Sequence, residues 1–175
     1  SLFSVSDSTY RQVIREGARS MSCYLTYPQS RTQVLPDFEN NASELRKLDE
    51  FIRQIYRDSL IFVNSVRLCG YCSIEGSYAI NERLARSRAE GFRDYLNDKY
   101  ALASHFPVEV KWVAEDWAKL RELVEGSQMA HREDVLFLID HVGVFEGREK
   151  KLMDLRGGEP YKYMLKTLFP ASRRV

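Results

Sequence analysis

A chain of 175 residues can bury one full hydrophobic core, and 44% apolar with 29% charged residues is an ordinary globular balance. A formal net charge of +1 gives no ground for a nucleic-acid surface or a polybasic membrane patch. No run approaches the roughly 18 apolar residues that a membrane helix needs. Three cysteines, Cys23, Cys69 and Cys72, are too few for a disulfide scaffold. The chain opens on Ser1-Leu2-Phe3 without an initiator Met or a leader, so an excised or mature segment is expected.

In chain order, residues 1–19 are polar and weakly patterned. Tyr10, Val13 and Ile14 suit a short helix or a linker into the domain. Residues 20–27 (SMSCYLTY) alternate, with Met21, Cys23, Leu25 and Tyr27 on one face of a strand. Residues 28–40 read as a loop. Asn41 and Glu44 have the spacing of a capping box, with Asn41 as the cap. Leu45, Leu48, Phe51, Ile52, Ile55 and Tyr56 then follow helical spacing to about residue 57.

Residues 60–69 (LIFVNSVRLC) read as a buried strand, and residues 78–98 as a helix with a core stripe of Ile80, Leu84, Phe92, Tyr95 and Leu96. Residues 108–112 alternate as a strand. Helical patterns return over 117–124, 132–142 and 161–169, with Gly157-Gly158 breaking the chain before the last. The order strand–helix–strand–helix–strand implies crossover connections. The expected class is therefore an α/β sandwich with helices on one side of a mixed sheet.

Residues 70–96, GYCSIEGSYAINERLARSRAEGFRDYL, carry the most specific pattern. A glycine-bearing loop leaves a strand and enters a helix with Asn81, Leu84, Ala85 and Arg88 within two turns of one side. This stretch resembles the signature of OmpA-like peptidoglycan-binding domains, G-H-T-D-x-x-G, four residues, then N-x-x-L-S-x-x-R-A-x-x-V-x-x-Y-L. Gly70, Gly76, Asn81, Leu84, Arg88, Ala89, Tyr95 and Leu96 fall in place without a gap. Tyr71 stands where that family has its histidine, and Ser73 where it has its aspartate. The loop is similar to the G-Y-A-S-P-E-G of OmpA-like proteins from Bacteroidetes.

The resemblance covers residues 20–115 and implies a βαβαβ sandwich with a final strand. Residues 116–170 then form a helical insertion, and Ser172-Arg173-Arg174-Val175 resembles the N-R-R-V that opens the family's last strand. Residues 1–19 fall outside it as a linker or short extension. It further implies a non-catalytic cell-envelope module at the periplasmic face of the outer membrane. Such a module holds the diaminopimelate of a peptidoglycan stem peptide and needs no cofactor or metal. Its partners would be that peptide and envelope proteins, with no nucleic acid and no membrane insertion by this segment.

By the same resemblance, Arg88 supplies a planar fork for the stem-peptide carboxylate. Ser73 takes the place of the group that pairs the ammonium, a loss worth about ten- to a hundredfold in binding unless Glu75 replaces it. Asn81 satisfies loop backbone groups, and Tyr71 lines the pocket or packs. The bland alternative makes Arg88 a surface or structural arginine that pairs with Glu75 or with loop carbonyls. A second reading, favoured by Ser73 in place of the aspartate, keeps the fold but loses peptidoglycan binding, leaving a protein-interaction or assembly domain of the outer membrane.

Other patterns are weaker. Cys69-Gly70-Tyr71-Cys72 is formally C-x-x-C, but it ends a strand rather than opening a helix, where a redox pair has its thiol activated. His105, His131 and His141 lack metal-ligand spacing. Glu115-Asp116 is an acidic pair whose adjacent side chains diverge. No G-x-S-x-G, P-loop or H-E-x-x-H occurs, so an enzyme is not expected. Residues 148–151 (REKK) read as a solvated helix face, Trp112 and Trp117 as core or interface aromatics. Phe137, Leu138 and Ile139 form either a buried stripe or a patch facing a partner.

Overall fold

A computed structural model describes residues 8–58, 65–74 and 76–169. The chain divides into two compact units, Ser1–Glu115 and Asp116–Val175. The first is a mixed α/β unit. Its elements run β1 (Ser8–Glu16), β2 (Arg19–Tyr27), α1 (Asn41–Asp58), β3 (Val66–Tyr71), α2 (Tyr78–Tyr100), α3 (Leu102–His105) and β4 (Val108–Val113).

The four strands form one sheet in the order β2-β1-β3-β4. β1 lies antiparallel to both its neighbours, and β3 lies parallel to β4. The series β2-α1-β3-α2-β4 is the expected βαβαβ path. The stretch expected as a linker or short helix is instead β1, inserted as a central strand between β2 and β3. It joins β2 through Gly17-Ala18. Gly17 has φ 57°, which suits glycine at the first position of a two-residue hairpin turn. The pattern of β1 was muted because two of its inward positions are polar. Gln12 is 1% exposed and donates from Nε2 to Tyr27 Oη at 3.3 Å; Glu16 is 6% exposed and is bound by Arg19 at 2.6 Å.

Both helices pack on one face. Ile14, Cys23, Leu25, Tyr27, Val66 and Leu68 from the strands meet Leu45, Leu48, Ile52 and Ile55 of α1 and Phe92 and Leu96 of α2 in one core. Ile80, expected in this core, is 49% exposed. α2 has 23 residues, about 35 Å, against 6 residues, about 20 Å, for β3, so its first turn overhangs the strand. The buried positions of α2 are Asn81, Ala85, Arg88, Ala89, Phe92 and Leu96.

The Asn41/Glu44 pair does not close a capping box. Both side chains turn to the outer backbone of β2, an edge strand. Asn41 Oδ1 accepts from Thr26 N at 2.8 Å, Asn41 Nδ2 donates to Thr26 O at 2.9 Å, and Glu44 Oε1 accepts from Tyr24 N at 2.9 Å. The edge is thereby covered rather than left open for another strand.

The second unit is helical: α4 (Trp117–Glu125), α5 (Arg132–His141), α6 (Arg148–Asp154) and α7 (Glu159–Tyr163), followed by a wide π turn over Met164–Leu168. Its start coincides with the boundary expected for the insertion. Asp116 caps α4, accepting from Lys119 N at 3.2 Å, which accounts for half of the Glu115-Asp116 pair. Arg121 forks onto both oxygens of Asp140 at 2.7 and 2.9 Å, tying α4 to α5. Ile139 is buried, while Phe137 is 59% exposed and stacks on His141 at 4.1 Å. The final strand expected from Ser172-Arg173-Arg174-Val175 lies outside the described residues.

Candidate functional site

Two close approaches set the site. β3 has no side chain at Gly70 because α2 sits flush on it there. A Cβ would stand 2.9 Å from Gln12 Oε1, 3.2 Å from Ala89 Cβ and 3.5 Å from Ala85 O. Gly91 does the same for the loop after β2, where a Cβ would stand 2.5 Å from Thr32 O. Thus Gly70, Ala85, Ala89 and Gly91 draw strand, helix and loop together around Arg88.

Arg88 is 1% exposed. Its guanidinium lies 3.9 Å from the ring centroid of Tyr10 and 4.6 Å from that of Tyr27, a cation–π arrangement contributed by β1 and β2. Nε donates to the carbonyl oxygen of Arg31 at 2.8 Å. Nη1 is buried with no hydrogen-bond partner among the described residues. Burial pushes the Tyr10 hydroxyl up to about 12, with Cys72 adding to the shift and Arg88 opposing it. Burial likewise pushes Tyr27 up to about 12, against the pull of Gln12 and Arg88.

The other expected site residues spread out from this centre. Asn81 is 6% exposed and donates from Nδ2 to Ser73 O at 3.4 Å, so it holds the loop as expected. Ser73 is half-buried at the loop start. Tyr71 follows Gly70 in β3, and alternation sends it to the face of the sheet away from α2. There Arg11 covers its ring at 3.9 Å. Arg88 and Tyr71 are therefore on opposite faces and are not brought together. Glu75 lies outside the described residues. The residues that sequence reasoning missed are Tyr10, Tyr27 and Arg31. Tyr10 lay in the supposed linker, and the Arg31 carbonyl lies in a loop 57 positions before its partner.

Alternation also separates Cys69 from Cys72, and all three cysteines are free thiols. Burial pushes Cys23 up to about 12, so it is a packed thiol rather than a nucleophile. Among the described residues no three of His, Cys, Asp and Glu gather to hold a metal ion. Trp112 donates from Nε1 to both oxygens of Glu82 at 3.1 and 3.2 Å, so its role is to fasten β4 to α2.

Comparison with known proteins returned no matching family model, no matching curated protein and no matching solved structure. The class that the geometry defines is a mixed α/β unit with a four-stranded sheet, followed by a helical unit.

Proposed function

We propose that this chain is a non-catalytic cell-envelope domain of OmpA-like type that works in protein interaction or assembly, its arginine turned to structural use. One observation carries this reading: the guanidinium of Arg88 is 1% exposed, roofed by Tyr10 and Tyr27 and bonded to the Arg31 carbonyl. A stem-peptide carboxylate cannot reach a fork so enclosed without displacing a ring. Ser73, in place of an aspartate, removes the anionic half of a zwitterion clamp as well. The wall-binding alternative has a specific observation in its favour, since the buried Nη1 lacks an acceptor that a ligand carboxylate would supply.

Calorimetric titration of the chain with soluble diaminopimelate-containing muropeptide separates the two. The assembly reading expects no saturable heat up to millimolar ligand, both for the native chain and for Tyr10→Ala. Saturable binding by the native chain that Arg88→Met abolishes would establish the wall-binding reading instead. Binding that appears only in Tyr10→Ala would identify Arg88 as a ligand group blocked in the native fold.

A further inference from the structure

β4 is the outer strand of the sheet, and among the described residues only β3 pairs with it. The ladder is anchored at both ends: Val66 N donates to Pro107 O at 2.8 Å, and Cys72 N donates to Val113 O at 2.9 Å. In a parallel ladder, residues whose backbone bonds inward alternate with residues whose N–H and C=O point out. Pro107, Glu109, Lys111 and Val113 therefore turn their backbones to β3, while Val108, Val110 and Trp112 turn theirs outward. Among the described residues no donor or acceptor reaches those outward groups. The opposite edge, β2, is covered by Asn41 and Glu44.

The side chains of β4 add a second regularity. Val108 and Val110 pack against the helix-side core, and Trp112 is fastened to Glu82 of α2. Glu109 and Lys111 point the other way, 49% and 68% exposed, and pair along their own strand at 3.4 Å, which leaves the backbone edge uncovered. A lysine on an edge strand deters an incoming strand. The exception is a strand that sets an acid opposite that lysine.

A second copy of β4 does so when laid antiparallel about a two-fold axis at Val110. Val110 then faces its own copy, Val108 faces Trp112, and Glu109 faces Lys111 in both directions. In that register Val108, Val110 and Trp112 form the hydrogen-bonded pairs and use every outward group. The charged residues form the non-hydrogen-bonded pairs, whose Cα atoms stand closest, about 4.5 Å apart. Opposite charges stabilise such a pair and like charges destabilise it. An axis at Glu109 or at Lys111 would instead oppose two glutamates or two lysines. We infer that the β4 edge joins two copies of this chain into a two-fold dimer with one continuous sheet, in the register centred on Val110. The cover on β2 stops the sheet from growing further, so assembly closes at two. Arg88 plays no part in this contact, and muropeptide binding there would leave it intact.

Sedimentation equilibrium of the full chain over about a hundredfold range of concentration tests this. Expected is a monomer of 20.4 kDa that converts to twice that mass as concentration rises. Glu109→Lys and Lys111→Glu, each alone, should weaken association at least about tenfold, because each sets like charges opposite one another. Both positions are exposed, so the fold should be kept. A mixture of the two single variants should re-associate to within about threefold of native, and so should Glu109→Lys/Lys111→Glu in one chain, because opposite charges face each other again. A monomer at every concentration overturns the inference, whether another segment of this chain or a different protein takes the edge. So does a dimer that neither single variant weakens, since another surface would then be the contact. Failure of the mixture and of the double variant to re-associate overturns the register and the inference with it. Assemblies larger than a dimer do the same, because they require a second open edge.

Discussion

At the scale of single residues, Arg88 sets a contest between desolvation and contact. Burying a guanidinium costs several kcal/mol, and what offsets it here is two aromatic faces and one carbonyl. Truncation leaves a hole under Tyr10 and frees the loop at Arg31, so Arg88→Ala should destabilise by about 3 kcal/mol. Arg88→Met keeps much of the volume and removes the buried charge, so it should stay within about 1.5 kcal/mol of native. Urea unfolding of both variants decides this; equal losses would mean that the charge itself is required. Gly91→Ala pits two effects against each other. Alanine gains about 1 kcal/mol of helix propensity, but its Cβ would meet Thr32 O at 2.5 Å, a backbone atom in a crossing loop. Contact should win, with a net loss of about 1–3 kcal/mol by the same assay. A gain would show that the loop yields freely. Arg88 itself was legible from the spacing of its helix. Its surroundings were not, because Tyr10, Tyr27 and Arg31 come from segments with no local link to α2.

At the scale of elements, β1 and β2 hold the lessons. α1, α2 and β4 were readable because their apolar residues recur at the period of the element. β1 escaped because the core accepts Gln12 and Glu16 once Tyr27 and Arg19 satisfy them, and those partners appear only after the hairpin closes. As the strand between β2 and β3, β1 supplies backbone partners to both. Removal of residues 1–18 should therefore abolish cooperative thermal unfolding, whereas removal of a true linker would leave the circular-dichroism melt unchanged. Asn41 and Glu44 were legible as a pair, but not their target, since Thr26 and Tyr24 lie 15 and 20 positions away. Asn41→Ala/Glu44→Ala strips the cover from the β2 edge and leaves the half-buried amides of Tyr24 and Thr26 without these acceptors. Light scattering at rising concentration should show more association than in the native chain. A variant that stays monodisperse would assign the pair to stability alone.

At the scale of the whole molecule, alkaline pH acts on the fold through groups gathered at the helix-side core. Tyr10, Tyr27 and Cys23 each have a folded pKa raised by burial to about 12. Unfolded tyrosine and cysteine titrate near 10 and 8.5. Between those values the unfolded chain has already lost protons that the folded chain retains, so stability falls as pH rises. It should be fully present below about pH 8 and decline progressively to about pH 12. Urea midpoints taken across that range check the sign, and Tyr10→Phe should flatten part of the slope. A flat profile would mean that these hydroxyls are reached by water.

The flush seating of α2 on β3 has a consequence for what the joint tolerates. Gly70, Ala85 and Ala89 are small because two backbones touch there, a demand that persists whatever the neighbouring loop does. One methyl added at Gly70 would already stand 2.9 Å from Gln12 Oε1 and 3.2 Å from Ala89 Cβ, so helix or side chain must shift to admit it. The seam is therefore a mechanical part, set by how closely two backbones approach, and it carries no chemistry of its own.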